Sequence, residues 1–201
     1  MIASIVVNHL KTSFLDDRTG RAFLFCNYKR QDNQEVDNLL ASLLGQLVAW
    51  QSTVPESIRE SHDEHRRGKK PRLSQDEIHE ALCGITKNYS RTFIIIDALD
   101  ECKTDHIRNE LLSEIYKLQE RSDIRLMVTF RPNIVPKHPD IVTKLEIRAH
   151  KEDIEEYLDG RMSELRSVVQ NNNKLQCKIK SHILTLVNDM YVRLYPISSM
   201  Y

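Results

Sequence analysis

Phe93-Ile94-Ile95-Ile96 runs without a break into Asp97-Ala98-Leu99-Asp100-Glu101. Four apolar residues in a row, three of them β-branched, suit a strand buried on both faces, as strands are in a parallel α/β sheet. Ligands of such sheets gather beyond the carboxyl ends of the strands. That rule puts Asp97, Asp100 and Glu101 at the functional edge. A strand that ends in aspartate is one way to hold Mg²⁺, an ion that takes oxygen ligands and keeps several waters. The bland alternative is a strand end followed by a charged turn.

The rest of the chain alternates in the way such a sheet requires. Met1 to Leu10 places Ile2, Ile5, Val6 and Leu10 on one helical face. Arg21 to Cys26 reads as a buried strand. Val36, Leu39, Leu40, Leu43, Leu44, Leu47 and Val48 then mark an amphipathic helix, with Asp32 or Asn33 as its expected cap. Trp50 at its end reads as packing at the margin of the core. Ser74 with Glu77 forms a capping-box pattern that opens a helix to about Tyr89. Thr104 is the expected cap of a helix carrying Ile107, Leu111, Leu112, Ile115 and Leu118. Ile124 to Thr129 is the next strand, stopped by Arg131-Pro132 because proline cannot donate to a ladder. Thr143 to Ile147 suggests one more short strand. This order predicts α/β architecture with a parallel sheet and right-handed crossovers.

From Lys151 the pattern is helical. Ile154, Tyr157, Leu158 and Met162 share a face, Asn171-Asn172-Asn173 breaks the run, and Leu175 to Val187 resumes it. Tyr191 to Tyr201 reads as irregular. The expected division is a core over residues 1–150 and the start of a helical domain over residues 151–201.

Composition narrows the function classes. The formal net charge is +0, which argues against a nucleic-acid partner, since such proteins usually carry a basic excess. No apolar run approaches the roughly 20 residues that span a bilayer. Cys26, Cys83, Cys102 and Cys177 form no C-x-x-C pair, so a zinc site is not expected. Scattered cysteines suit a reducing compartment, and the expected location is cytoplasmic. His62 and His65 flank Asp63-Glu64, but H-x-x-H within so charged a stretch reads as solvated surface rather than a metal pair. The basic run Arg66 to Arg72 also reads as a solvated loop.

Several of these segments, in this order, resemble one family. Cys26-Asn27-Tyr28-Lys29 followed by Leu39 to Leu47 resembles the second strand and helix of fungal-type NACHT proteins, which overlap with nephrocystin-like NTPase domains. Phe93 to Glu101 resembles their extended Walker B, and Ile124 to Pro132 the next strand, which typically ends T-S-R-P. The resemblance covers about residues 1 to 165 and implies a STAND-class P-loop NTPase core, a switch using Mg²⁺ and ATP (or GTP). Carried over by position, Asp97 would hold the metal, Asp100 and Glu101 would orient or activate the attacking water, and Arg131 would read the γ-phosphate. An arginine suits that task because its planar fork makes paired, charge-assisted bonds to phosphate oxygens. Protein partners or self-association are expected with such a switch.

Two departures qualify the resemblance. Phe130 stands where the family usually has serine. No G-x-x-x-x-G-K-[ST] phosphate loop occurs in the 201 residues. In the family a helix like Met1 to Leu10 directly follows that loop, so the expectation is a core that begins just after it, without its first strand. That strand is central in the family, and its loss would leave neighbouring strand edges unpaired, an association hazard. Losing only three bonds to charged phosphate would remove about 5–9 kcal/mol, whereas micromolar binding is only about 8 kcal/mol in all. The chain is therefore expected to be at most a weak nucleotide binder and an inactive hydrolase. The rival expectations are a catalytically dead interaction module and a non-functional product of a mispredicted gene start.

Overall fold

The apolar run at the centre of the chain becomes a strand with neighbours on both sides. The computed structural model describes residues 2–14, 16–51, 73–131, 145–148, 150–187 and 191–198. Strand β1 (Thr19–Phe25) pairs in parallel with β2 (Arg91–Asp97), and β2 pairs in parallel with β3 (Ile124–Phe130). The registers run Phe25 against Asp97 and Ile96 against Val128. The parallel α/β core is as expected, but one consequence drawn from the family resemblance fails. No gap opens beside β2, because it pairs in parallel with β1 on one side and β3 on the other and has no free edge.

Alternation along β2 divides the core. Ile94 and Ile96 face a large cluster with Ala22 and Leu24 of β1 and with Leu126, Val128 and Phe130 of β3. Three helices complete that cluster: α2 (Val36–Ala49), α3 (Gln75–Thr86) and α4 (Asp105–Gln119). Ile95 faces the other way, against Ala3, Val7 and Leu10 of α1 (Ile2–Ser13), with Phe23, Phe93 and Met127 around them. Helices thus cover both faces of the sheet, as an all-parallel sheet requires.

The face of α1 differs from the expected one. Ala3, Val7 and Leu10 are buried, whereas Ile5 is exposed. The small Ala3 lets the helix approach the sheet closely, so the stripe at i, i+4, i+7 turns inward in place of the larger Ile5. The expected cap of α2 is also corrected. Asp32 and Asn33 lie in a 3₁₀ turn, Tyr28–Asn33, and the N-cap is Glu35, which makes no side-chain cap bond. Ser74 and Glu77 form the capping box of α3, and Thr104 caps α4, both as expected. Trp50 is partly exposed, and the buried Arg21 guanidinium lies over its ring at 4.5 Å.

The free edge of β1 is covered from within. The Gln46 side chain, on α2, accepts from Phe23 N at 2.9 Å and donates to Phe23 O at 2.8 Å. Gly20 allows a second close approach, since a Cβ there would lie 2.8 Å from Tyr89 Cδ2. The Tyr89 hydroxyl in turn donates to Leu47 O at 2.6 Å.

The chain divides into two compact units, Met1–Leu145 with Leu194–Tyr201, and Glu146–Arg193. In the second unit, α5 (Lys151–Arg161) buries Leu158 and is followed by the buried Met162. Tyr157 is exposed, so the apolar face is narrower than its spacing suggested. The asparagine break is real: α6 (Ser167–Gln170) ends there and α7 (Asn173–Val187) begins, with Asn172 Oδ1 accepting from Leu175 N at 3.1 Å. Near the C-terminus the structure corrects the expected irregular stretch. Tyr191–Ser198 forms a strand, as does Leu145–Arg148. Tyr191, Val192, Tyr195 and Ile197 are residue types that favour extended backbone, and that local preference prevails despite Pro196. His62, His65, the run Arg66 to Arg72 and Pro132 lie outside the described residues.

Candidate functional site

Where β2 ends, the backbone makes an unusual move. Ala98 adopts the left-handed conformation, φ 54° and ψ 48°, and is the one non-glycine residue with positive φ among the described residues. A side chain in that region costs roughly 1–2 kcal/mol, so the surroundings must hold it there. They do so through β3. Ala98 N donates to Thr129 Oγ1 at 2.9 Å, and the Thr129 hydroxyl donates to Asp97 Oδ1 at 2.6 Å. Thr129 thereby serves the strained residue and the carboxylate before it with a single hydroxyl.

The strained residue opens a 3₁₀ turn, Leu99–Glu101, which aims the next two carboxylates at the same edge. Leu99 and Cys102 anchor the turn in the core, both buried. Asp100 Oδ1 accepts from Arg131 N at 3.2 Å, and Arg131 Nε lies 3.5 Å from Asp100 Oδ2. Arg131 Nη2 lies 3.9 Å from Glu101 Oε1. Glu101 Oε2 also accepts from Tyr28 N at 3.0 Å, and its carbonyl accepts from Gln31 Nε2 at 3.1 Å. The loop after β1 is thus fastened to the acidic turn.

The structure brings three of the four sequence-derived residues into contact: Asp100, Glu101 and Arg131 meet beyond the carboxyl ends of β2 and β3. Asp97, at the end of β2, is tied to β3 through Thr129. The Asp100 side chain is 9% exposed, while Arg131 is 61% exposed. Arg131 is therefore the member most open to solvent, and its two carboxylate partners fix its base.

Sequence reasoning missed Thr129. Its signal was faint: β2 and β3 each pass from apolar to polar at their last turn, and in parallel register those ends coincide. Phe130, the departure from the T-S-R-P pattern, is buried in the large cluster. A serine there would lose that packing, so the substitution belongs to the core and leaves the flanking Thr129 and Arg131 in place. A further contact went unread: Cys26 and Cys102, both buried, bring their sulfurs within 3.3 Å.

Two carboxylates face the Arg131 guanidinium, and Asp97 adds a third along the same edge, a balance that favours a cation over a bare anion. Among the described residues no group of three or more His, Cys, Asp or Glu is placed to hold a metal ion. Magnesium commonly takes one or two protein carboxylates and fills the remainder with water and phosphate. Asp97 fits that use, because Thr129 occupies Oδ1 and no described residue bonds Oδ2. Also among the described residues, no helix is long and apolar enough to cross a membrane.

Residues 1–131 match the family model described as Nephrocystin 3, N-terminal. No curated protein and no solved structure matches the chain.

Proposed function

Since the chain belongs to the Nephrocystin 3 N-terminal family, we propose that its acidic edge is the metal-and-phosphate side of a NACHT-type, STAND-class nucleotide switch. The observation that carries this reading is that Arg131, at the end of β3, meets Asp100 and Glu101 in the turn after β2, while Asp97 at the end of β2 is held by Thr129 of β3. In the proposed roles, Asp97 is the Walker B carboxylate that takes Mg²⁺ through Oδ2 or a bound water. The ion, when present, neutralises phosphate charge. Asp100 and Glu101 orient a water, and Arg131 leaves its carboxylates for a phosphate oxygen. The ion pairs describe the resting arrangement, in which the arginine is held in reserve by the acids it would serve.

The 201 residues contain no phosphate-loop motif. The chain alone is expected to bind Mg²⁺–ATP at about millimolar strength or weaker, near 4 kcal/mol, and to release no measurable phosphate. Calorimetric titration with Mg²⁺–ATP or Mg²⁺–GTP, beside a phosphate-release assay, tests both statements. Binding that weakens on Asp97→Ala supports the reading. Magnesium-dependent turnover that disappears on Asp100→Asn would show that the edge is a complete enzyme. Binding unchanged by Asp97→Ala would remove the assigned role.

One observation favours a second reading, a docking module without nucleotide. Phe25 and Tyr28, at the end of β1 and in the loop after it, are both more than half exposed. Exposed aromatics are typical anchors of protein interfaces. Under that reading Phe25→Ser and Tyr28→Ser would abolish self-association or partner capture while Asp97→Ala would not. Cytoplasmic placement is part of either proposal.

A further inference from the structure

We propose that Cys26 and Cys102 form a peroxide-sensitive redox pair whose disulfide ties the end of β1 to the acidic turn. The inference is independent of the nucleotide reading, because it rests on the two thiols and their setting. Cys26 is the first residue past β1, and its N–H donates to Asp97 O at 3.0 Å, one step beyond the β1–β2 ladder. Cys102 closes the turn, with its N–H directed at Leu99 O at 3.3 Å. Both side chains are buried in the same cluster with their sulfurs 3.3 Å apart. A disulfide bond is about 2.05 Å long, so the sulfurs need close by only about 1.2 Å. The two residues are 76 positions apart in sequence, so the bond would close a long loop and restrict the unfolded chain.

The surroundings also divide the roles. The two thiols are in direct contact, with Cys102 Sγ directed at Cys26 Sγ at 3.3 Å. The Arg108 guanidinium donates to Cys102 O at 3.1 Å, and its positive charge beside Cys102 favours the thiolate there. Cys102 is therefore the nucleophile and Cys26 the resolving thiol. The Cys102 thiolate attacks one oxygen of hydrogen peroxide, the O–O bond breaks, and the leaving hydroxide takes a proton as water. The Cys26 sulfur then attacks the Cys102 sulfenic sulfur, the S–O bond breaks, and the second oxygen leaves as water with the Cys26 proton. Two thiols lose two electrons, one peroxide gains them, and the products are one disulfide and two waters. Burial favours a small oxidant over a bulky disulfide such as oxidised glutathione.

The other cysteines are internal controls, since Cys83 is buried with Arg121 Nη1 donating to its sulfur at 3.8 Å and Cys177 is exposed. The test treats the full reduced chain with equimolar hydrogen peroxide, alkylates the remaining thiols, and maps peptides by mass spectrometry. The expected result is an intramolecular Cys26–Cys102 disulfide, reversible by dithiothreitol, with Cys83 and Cys177 alkylated. Oxidation confined to Cys177 would overturn the proposal, as would Cys102 passing to sulfinic acid without a disulfide. Peroxide treatment of Cys26→Ser, with dimedone present, should trap a sulfenic acid on Cys102. Trapping on Cys177 alone would contradict the assigned nucleophile. The wild-type peptide map stands without this variant should it fail to fold.

Discussion

A single hydroxyl decides the shape of the acidic edge. Thr129 accepts from the strained Ala98 and donates to Asp97, so removing it orphans one backbone donor and frees one carboxylate. Thr129→Val keeps the branched shape and deletes only the oxygen. It should cost about 1–3 kcal/mol, the penalty for an unsatisfied partly buried group, read as a lower urea midpoint with unchanged slope. A change under about 0.3 kcal/mol would show that Thr129 supports nothing there. Ala98→Gly tests the strain from the other side. Glycine reaches positive φ freely, so relief of about 1 kcal/mol should offset its extra unfolded-state entropy. The expected result is a midpoint equal to or above that of the wild type. Tyr116 offers a pH test, because burial raises its hydroxyl to about 12 from 10.0. The folded state then keeps a proton that the unfolded chain releases first. The Tyr116 contribution is complete below pH 10 and lost between pH 10 and about 12. Alkaline titration of tyrosinate absorbance beside far-ultraviolet dichroism would show this as loss of structure in that window, and Tyr116→Phe should remove its share.

At the scale of elements, Gln46 explains how β1 can be an edge strand without recruiting another chain. Its amide meets both the donor and the acceptor of Phe23, as a neighbouring strand would. Gln46→Ala should uncover that edge, and light scattering should then report association rising with concentration. A strictly monomeric variant would contradict the edge-cover role. The elements were mostly legible in the sequence, and for a definite reason. β2, α2 and α4 carry period and apolar content that agree, whereas α1 does not: Ile5 looked like core, but the narrow Ala3 made the buried stripe. The C-terminal strand was obscured by Pro196, and the α2 cap by Asp32 and Asn33, neither of which is the cap. Asp97, Asp100, Glu101 and Arg131 were legible because a buried strand can end in charge only where charge is used or solvated. Thr129 and the Cys26–Cys102 contact depend on inter-strand register, which one sequence does not display.

Over the whole molecule, stability concentrates where burial does. β1, β2, β3, α2 and α4 contribute most of the buried apolar side chains of the first unit, whereas among the described residues the second unit buries Leu158 and Met162. Amide exchange should be slowest in β2 and faster by orders of magnitude in α6 and α7. Uniform protection across both units would contradict that distribution. The account's central claim concerns the edge itself, and amide chemical shifts test it most directly. Titrating the full chain with Mg²⁺–ATP should move the amides of residues 97–101, 129 and 131 together, only with magnesium present, and not in Asp97→Ala. Shifts confined to other segments, or the same shifts in Asp97→Ala, would contradict it.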